Sequence, residues 1–250
     1  MSMSVSKHGR VVVAGGTGGV GEGVVAAFAR GGFEVFVPSR SEEKVASLLS
    51  ALPLDARSHV HGEVVDTDHV STIERYRDAL VAGGGPIDAV VAALGGWWQG
   101  APLHAIPEEK WYRLLDQGLG AHFRFARAFV PHLLDHPSSY TFVNGFSAAT
   151  PYAQASAMSV SSAGQLMMAR VMAEELSGTP VRVNGLVLGP IMTRARSHGR
   201  PEWLHAGDVG EFAAELARSD VRAEVVSLMD RGELARARER LFGISVSRGR

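Results

Sequence analysis

The chain has 250 residues, enough for one large α/β domain built around a single core. Its 25 basic and 26 acidic side chains give a net charge of −1, so no global field favours nucleic acid or an anionic membrane. The lack of cysteine excludes disulfides, thiolate metal sites and cysteine nucleophiles. Residues 1–10 are polar, and the short apolar run 11–14 after them is too brief for a signal peptide or a membrane span, which predicts a cytoplasmic protein.

Strand and helix patterns alternate along the first half of the chain. A valine run over residues 10–14 is followed by glycines and then by apolar residues at helical spacing, which predicts a strand, a turn and a helix. A second strand is predicted over 33–38, and the capping-box spacing of Ser39 and Glu42 predicts a helix to about residue 51. The next predicted elements are a strand over 59–66, a helix over 70–81 and a buried strand over 87–94.

The same alternation continues to the C-terminus. A long helix is predicted over 108–134, with Pro131 able to bend it. It is followed by a strand over 140–146, a helix over 159–176, a strand over 181–188, a helix opened by Asp208 with Glu211 in capping-box register, and a strand over 225–228. We therefore expect residues 1–250 to form one α/β domain, a Rossmann-type doubly wound parallel sheet of about seven strands with helices on both faces. Residues 233–250 are expected to form a C-terminal tail helix or extension.

Glycines cluster between the first strand and the first helix. The segment V-A-G-G-T-G-G-V-G over residues 13–21 places Gly15, Gly19 and Gly21 at G-x-x-x-G-x-G spacing. Glycine permits positive φ and lets backbone N–H groups approach a pyrophosphate at a helix N-terminus. The pattern predicts a dinucleotide site, with a ligand-free tight turn as the alternative.

With these motifs the chain resembles the short-chain dehydrogenase/reductase family. The resemblance covers nearly all of the chain, in the family's order: the glycine turn, Asp66 after the third strand, D-A-V-V-A-A-L-G at 88–95, V-N-G-F-S ending at Ser147, R-V-N-G-L-V-L-G-P-I-M-T at 182–193 and M-D-R-G at 229–232. It implies a Rossmann-type oxidoreductase with a nicotinamide cofactor.

The expected cofactor is NADP, in preference to NAD. The second strand ends without an acidic residue to accept a hydrogen bond from a ribose 2′-hydroxyl, whereas the guanidinium of Arg40 suits a 2′-phosphate. A solvated surface role for Arg40 is the alternative. The resemblance also implies that Asp66 contacts the adenine and Thr193 the nicotinamide amide. The expected cofactor residues are Gly15, Thr17, Gly19, Val20, Gly21, Ser39, Arg40, Asp66, Gly95 and Thr193.

Three of the four catalytic positions that the resemblance implies are altered. The family uses a tyrosine, a lysine four residues later, a serine and an asparagine. Ser147 matches the serine, but Met158, Ser162 and Gly118 stand at the tyrosine, lysine and asparagine positions. No Y-x-x-x-K occurs anywhere in the chain, and residues 111–250 contain no lysine. A tyrosine base whose pKa is lowered by a neighbouring ammonium is therefore not available here.

Aromatic residues offer substitutes. Tyr152, in the loop before the fifth predicted helix, can donate a proton, although packing or substrate contact is the alternative. Trp97 and Trp98 follow the fourth strand on the side where such folds bind ligands, and with Met158 they predict a small apolar or aromatic substrate. Packing of a loop or a subunit contact is the alternative for the tryptophans. The ten histidines lack metal-ligand spacing, so no metal site is expected.

Two functions follow from these observations. The first is an NADP(H)-binding oxidoreductase that acts on a carbonyl, an alcohol or a related small substrate by a non-standard mechanism, with a proton from water, the substrate or a replacement residue. The second is a non-catalytic homologue, either a cofactor sensor or an inactive partner subunit of an active paralogue. A non-redox transformation in the same pocket is a third alternative. Apolar stripes on the helices over 108–134 and 159–176 predict a homodimer or homotetramer, and neither nucleic acid nor a membrane is an expected partner.

Overall fold

Short runs of β-branched and aromatic residues form the strands. The computed structural model describes residues 9–244. The strands are β1 (Arg10–Ala14), β2 (Glu34–Ser39), β3 (Val60–Val64), β4 (Ala89–Ala92), β5 (Ser138–Gly145), β6 (Val181–Leu188), β7 (Ile191–Met192), β8 (Leu204–His205) and β9 (Val225–Leu228). Seven of them form one parallel sheet in the order β3-β2-β1-β4-β5-β6-β9, and β7 pairs with β8. This confirms the predicted parallel sheet.

Helices cover both faces of the sheet. They are α1 (Gly19–Arg30), α2 (Glu42–Ala51), α3 (Leu54–Arg57), α4 (Val70–Gly84), α5 (Glu108–Leu115), α6 (Ala121–Leu133), α7 (Ser156–Glu175), α8 (Ala206–Arg218) and α9 (Arg231–Phe242). The apolar cluster on one face includes residues of α1, α2, α8 and α9, and the cluster on the other face includes residues of α4, α6 and α7. The domain is therefore doubly wound, as predicted.

Strand β1 is covered by helices on both faces, which explains why its valine run contains no polar residue. Val11 belongs to the cluster that contains Phe28 and Phe212, whereas its neighbour Val12 belongs to the cluster that contains Phe129. All five side chains are fully buried. Since successive side chains of a strand point to opposite faces, a central strand covered on both sides must be apolar throughout. Burial of each large side chain contributes about 2 kcal/mol.

The long helix predicted over 108–134 is interrupted. A π-helical turn over Asp116–Gly120 separates α5 from α6. The cause lies in the neighbouring helix, where the hydroxyl of Ser161 accepts a hydrogen bond from the backbone N–H of Leu119 at 3.1 Å. A side chain that captures a backbone donor in this way opens the regular i→i−4 hydrogen bonding. Gly118 permits the approach, because a Cβ there would overlap the Ser161 hydroxyl.

Two predicted helix caps are wrong in position. Ser41, not Ser39, caps α2, since its hydroxyl accepts from the backbone N–H of Lys44 at 3.2 Å. Ser39 still ends β2, and its hydroxyl lies 3.4 Å from that of Thr17. Helix α8 begins before Asp208, whose carboxylate accepts from the backbone N–H of His205 at 2.8 Å within the first turn. Serine and aspartate near a helix start therefore mark the cap only to within a few residues.

Helix α9 forms most of the predicted tail. It packs on α8, where Arg238 binds the carboxylates of Glu211 and Glu215 at 3.2 and 2.9 Å, and where Phe242 contacts Phe212 with ring centroids 5.3 Å apart. Residues 245–250 of that tail lie outside the described residues. Among the helices of residues 9–244, none combines the length and hydropathy required to cross a bilayer.

Candidate functional site

A cleft opens at the carboxyl ends of β1, β4, β5 and β6, where the strand order reverses and where folds of this type bind ligands. It has an inner chamber of about 370 Å³ and an outer chamber of about 320 Å³, which share residues 93–96. The inner chamber is lined by residues that include Gly19, Trp97, Asn144, Ser147, Met158 and Thr193. The outer chamber is lined by residues that include Thr17, Ser39, Arg40, Lys44, Asp68 and Arg124.

The glycine loop forms the wall between β1 and α1. Gly15 has φ +80°, and a Cβ there would overlap the carbonyl oxygen of Ala93, so only glycine lets the loop pack against the chain that leaves β4. The first N–H groups of a helix lack partners within it and carry a partial positive charge, so the start of α1 can bind an anion such as pyrophosphate. The predicted residues of this loop all line the cleft: Gly15, Thr17, Gly19, Val20 and Gly21.

The outer chamber holds an ion pair that the sequence does not reveal. Arg40 Nη1 donates to both carboxylate oxygens of Asp68, at 2.8 and 3.0 Å. Asp68 comes from the loop after β3, so the fold supplies the acidic group that is missing at the end of β2. Lys44, in the first turn of α2, lines the same chamber. With Arg124, three cations and one carboxylate therefore line this chamber.

Asp66 lies beside the outer chamber but does not line it. Its carboxylate accepts from the backbone N–H of Asp68 at 2.9 Å and lies 2.8 Å from Nδ1 of His69. The hydrogen bond from Asp68 and the neighbouring His69 lower the pKa of Asp66. Asp66 therefore shapes the loop whose next residues, Thr67 and Asp68, form the chamber wall. The adenine contact implied by the resemblance stays a prediction.

The expected catalytic positions meet in the inner chamber. The hydroxyl of Ser147, on the turn after β5, lies 3.4 Å from that of Ser162 on α7. Met158, one turn earlier on α7, is buried in the same wall. Gly118 lies behind them, against Ser161. The residues at the expected serine, lysine and tyrosine positions thus lie close together. Ser162 has a hydroxyl where a lysine would have an amine, and Met158 has a thioether where a tyrosine would have a phenol.

Two buried carboxamides line the inner chamber and were missed in the sequence. Asn144 is the penultimate residue of the buried strand β5, and within residues 9–244 neither its amide nitrogen nor its oxygen has a protein partner. Gln165 donates to the Ser161 hydroxyl at 3.1 Å and occupies space that a side chain at Gly118 would enter. A carboxamide close to the carboxyl end of a strand was the available signal for Asn144, because ligands bind at that end, whereas nothing marked Gln165 on its helix. The ionisable side chains of the described cleft line its outer chamber.

The aromatic residues divide into two groups. Trp97 lines the inner chamber and contacts Phe146 and Tyr152, with ring centroids 6.2 and 5.3 Å apart. Tyr152 is 40% exposed and lies behind these rings, outside the chamber wall. Trp98 turns away and packs with the buried group around Met158, with Lys110 Nζ 5.4 Å from its ring. Of the two tryptophans, the structure thus brings Trp97 to the cleft.

One buried histidine lies near the π-helical turn. His122 follows Gly118 by one turn, is fully buried and stacks on Phe142 with centroids 5.4 Å apart. Burial lowers the pKa of His122 to about 4, so its ring is neutral near pH 7. Within residues 9–244, no group of three or more His, Asp or Glu side chains is placed to hold a metal ion.

Comparisons with known proteins agree with this geometry. The family profile described as short chain dehydrogenase matches residues 9–202. A 1-deoxy-11-beta-hydroxypentalenate dehydrogenase of Streptomyces avermitilis is 30% identical over 185 residues, which are 73% of this chain and 68% of that protein. An NADP-dependent 3-hydroxy acid dehydrogenase of Salmonella typhi is 26% identical over 220 residues, 86% of each chain. A short-chain type dehydrogenase/reductase from Mycobacterium ulcerans has a TM-score of 0.81 at 22% identity, covering 95% of this chain and 96% of that one.

Proposed function

The chain belongs to the short-chain dehydrogenase/reductase family, and we propose that it is an NADP(H)-dependent oxidoreductase of small carbonyl or alcohol substrates. One observation carries this proposal: the glycine loop, Ser147 and Thr193 converge on a single cleft at the reversal point of the sheet. Function is argued from this site, because a fold of this type alone hosts many activities.

The cleft has the shape and chemistry that a dinucleotide requires. Gly18 and Gly19 carry no side chain of their own at the start of α1, which suits the close approach of a pyrophosphate. Arg40 and Lys44 provide positive charge in the outer chamber for the 2′-phosphate, and Ser39 provides a hydroxyl beside them. Thr193 adjoins Gly19 at the inner chamber, where it can bind the nicotinamide amide. When bound, the cofactor donates or accepts a hydride.

We assign to Ser147, which lines the inner chamber, the role of binding the substrate oxygen. Its hydroxyl can donate a hydrogen bond to a carbonyl and stabilise charge that develops on it. In the structure the Ser147 hydroxyl donates to the Ser162 hydroxyl at 3.4 Å, so it must turn away from Ser162 to donate to the substrate. Because no cation among the described residues lines the inner chamber beside either hydroxyl to favour ionisation, we assign proton delivery to water. The ring of Tyr152 packs edge-on against Trp97 and Phe146, so we assign it a packing role and not proton donation.

The inner chamber suits a flat apolar substrate. Trp97 and Phe146 stack to form one wall, and Met158 contributes to another. Trp97 is 56% exposed, so a planar molecule that stacks on it removes apolar surface from water.

The replacement of the tyrosine and lysine favours a second candidate function. Met158 and Ser162 line the chamber where the family's proton-transfer pair stands, so a chain that binds cofactor without turnover fits the same geometry. Such a protein is a cofactor sensor or an inactive subunit beside an active paralogue.

The test is ketone-dependent oxidation of NADPH by the purified protein, read as loss of dihydronicotinamide absorbance with a panel of small aryl ketones. We expect turnover, and about a tenfold or larger decrease in Ser147→Ala, because it removes an oxyanion donor. The matched Ser159→Ala variant, on a partly buried helix position that does not line the chamber, should keep the wild-type rate. NADPH binding without turnover on the whole panel would support the second function.

A further inference from the structure

In the outer chamber, the guanidinium of Arg40 is already paired with a carboxylate. Arg40 and Asp68 form an ion pair at 2.8 Å, and their side chains are 54% and 47% exposed. The guanidinium bonds both carboxylate oxygens through the same nitrogen, Nη1. This pair lies in the region assigned above to the ribose 2′ substituent, so an incoming 2′-phosphate and the Asp68 carboxylate compete for one partner.

The loop that carries Asp68 is held in place from several sides. The Asp66 carboxylate accepts from the backbone N–H of Asp68 at 2.9 Å. The Thr72 hydroxyl donates to the backbone oxygen of Asp66. Arg124 donates to the backbone oxygen of Thr67 at 3.1 Å, and its Nη2 lies 3.8 Å from the Asp68 carboxylate. Asp68 is therefore presented to Arg40 by a fixed loop, unlike a free surface side chain.

We propose that Asp68 is a cofactor-selectivity residue, an internal counterion of Arg40 that narrows the preference for NADP(H) over NAD(H). The proposal rests on the proposed function, since it assumes that the cleft binds a nicotinamide dinucleotide. A 2′-phosphate must displace the carboxylate from Arg40 and also lie near its negative charge. The 2′-hydroxyl of NAD(H), in contrast, can donate a hydrogen bond to the Asp68 carboxylate, which favours its binding.

The exposure of these charges sets how strongly Asp68 can affect NADPH affinity. Exposed ion pairs are worth little, since water and salt screen them, and the repulsion between the carboxylate and a phosphate is screened in the same way. We therefore expect removal of the Asp68 charge to tighten NADPH binding by about threefold to tenfold at low ionic strength. NADH affinity should change by less than about twofold in Asp68→Asn, because the amide oxygen can still accept from the 2′-hydroxyl.

Calorimetric titration of the whole purified protein with NADPH and with NADH tests this inference without any turnover. The variant is Asp68→Asn, and the matched control is Asp78→Asn on α4, which also removes a carboxylate paired with an arginine, at 2.7 Å, but lines neither chamber. The expected result is a higher ratio of NADPH to NADH affinity in Asp68→Asn and an unchanged ratio in Asp78→Asn. In an Arg40→Leu background, Asp68→Asn should give a smaller gain, because the competing partner is gone.

Two outcomes overturn the inference and are distinct from each other. If both nucleotides bind the wild-type protein and Asp68→Asn leaves their ratio at the wild-type or control value, Asp68 does not select the cofactor, while the proposed function stands. If neither nucleotide binds the wild-type protein or the variants, the proposed function fails and the inference fails with it.

Discussion

Arg40 is the residue on which the cofactor assignment depends most. Its guanidinium lies in the outer chamber with Lys44, where it can form charge-assisted hydrogen bonds to a 2′-phosphate. We expect NADPH to bind more tightly than NADH, and Arg40→Leu to weaken NADPH binding by about tenfold while NADH affinity changes little. Calorimetric titration measures both constants, with Arg75→Leu on the exposed face of α4 as the control. Equal affinities for the two nucleotides in the wild-type protein would contradict the assignment.

Met158 and Ser162 line the inner chamber at the positions that the proposed function links to proton delivery. We expect Met158→Tyr combined with Ser162→Lys to raise ketone-dependent NADPH oxidation by about tenfold or more, because the ammonium lowers the pKa of the introduced phenol beside Ser147. Met158→Tyr alone is the control, since its phenol has no cation nearby and should give a smaller gain. A double variant that folds and binds NADPH but reduces ketones no faster than wild type would show that the reaction centre lies elsewhere.

His122 makes the free energy of unfolding depend on pH. Burial lowers the pKa of His122 to about 4 in the folded chain, against 6.5 for an exposed histidine. The unfolded chain therefore binds the proton more readily between these values, and acidification from pH 6.5 to pH 4 favours unfolding by about 3 kcal/mol through this group.

His122→Phe isolates this contribution, because it keeps a ring against Phe142 but cannot titrate. We expect the unfolding free energy of wild type relative to His122→Phe to decrease by about 3 kcal/mol from neutral pH to pH 4, measured by urea denaturation. A difference that stays constant across this range would mean that His122 is not kept neutral by burial.

At the scale of elements, the central strands such as β1 and β4 were predictable because they combine β-branched residues with burial on both faces. The run over β6 was predicted with the bounds that the structure shows, Val181–Leu188. The π-helical turn over Asp116–Gly120 was not predictable, because it depends on Ser161, more than forty residues away in sequence. Local periodicity carries no information about a hydroxyl supplied by another helix.

In the site, too, the features set by local sequence were predictable and those set by tertiary contacts were not. The glycine loop and Ser147 lie in local motifs that the sequence reveals, and in the structure they line the cleft. The pairing of Arg40 with Asp68 and the opposite directions of Trp97 and Trp98 arise from tertiary contacts between separate loops. Such contacts leave no periodic signal in a single sequence.

Helix α7 carries an exposed apolar stripe that predicts self-association. Val160, Met167 and Val171 are 46–54% exposed along one side of the helix, and Tyr112 and Phe123 on the adjacent α5 and α6 are 61% and 55% exposed. Contiguous apolar helix faces of this kind form subunit interfaces. We expect light scattering at micromolar concentration to give a dimer or a tetramer, and Met167→Glu to shift the protein toward the monomer.

The control for this experiment is Leu54→Glu, on the short helix α3, where the side chain is 81% exposed and away from the stripe. It should leave the oligomeric state of the wild type unchanged. A wild-type protein that is strictly monomeric at these concentrations would contradict the predicted interface.

For the molecule as a whole, the doubly wound sheet brings the glycine loop, the cations of the outer chamber and the hydroxyls of the inner chamber to one edge. Under the proposed function, the chain keeps the residues that bind the cofactor, and it has Met158 and Ser162 at the positions expected for proton transfer. Hydride transfer needs a correctly placed cofactor and substrate, whereas the proton can come from water at a lower rate.

The most direct test of this account is transfer of deuterium from NADPH labelled at C4 of the dihydronicotinamide to a small aryl ketone. The product alcohol is analysed by mass spectrometry. We expect label on the carbinol carbon with the wild-type protein, and its loss in Gly15→Val, whose side chain would overlap the chain after β4. NADPH bound at saturation with no label in the product of any ketone would contradict the account and leave the chain as a cofactor-binding protein without redox chemistry.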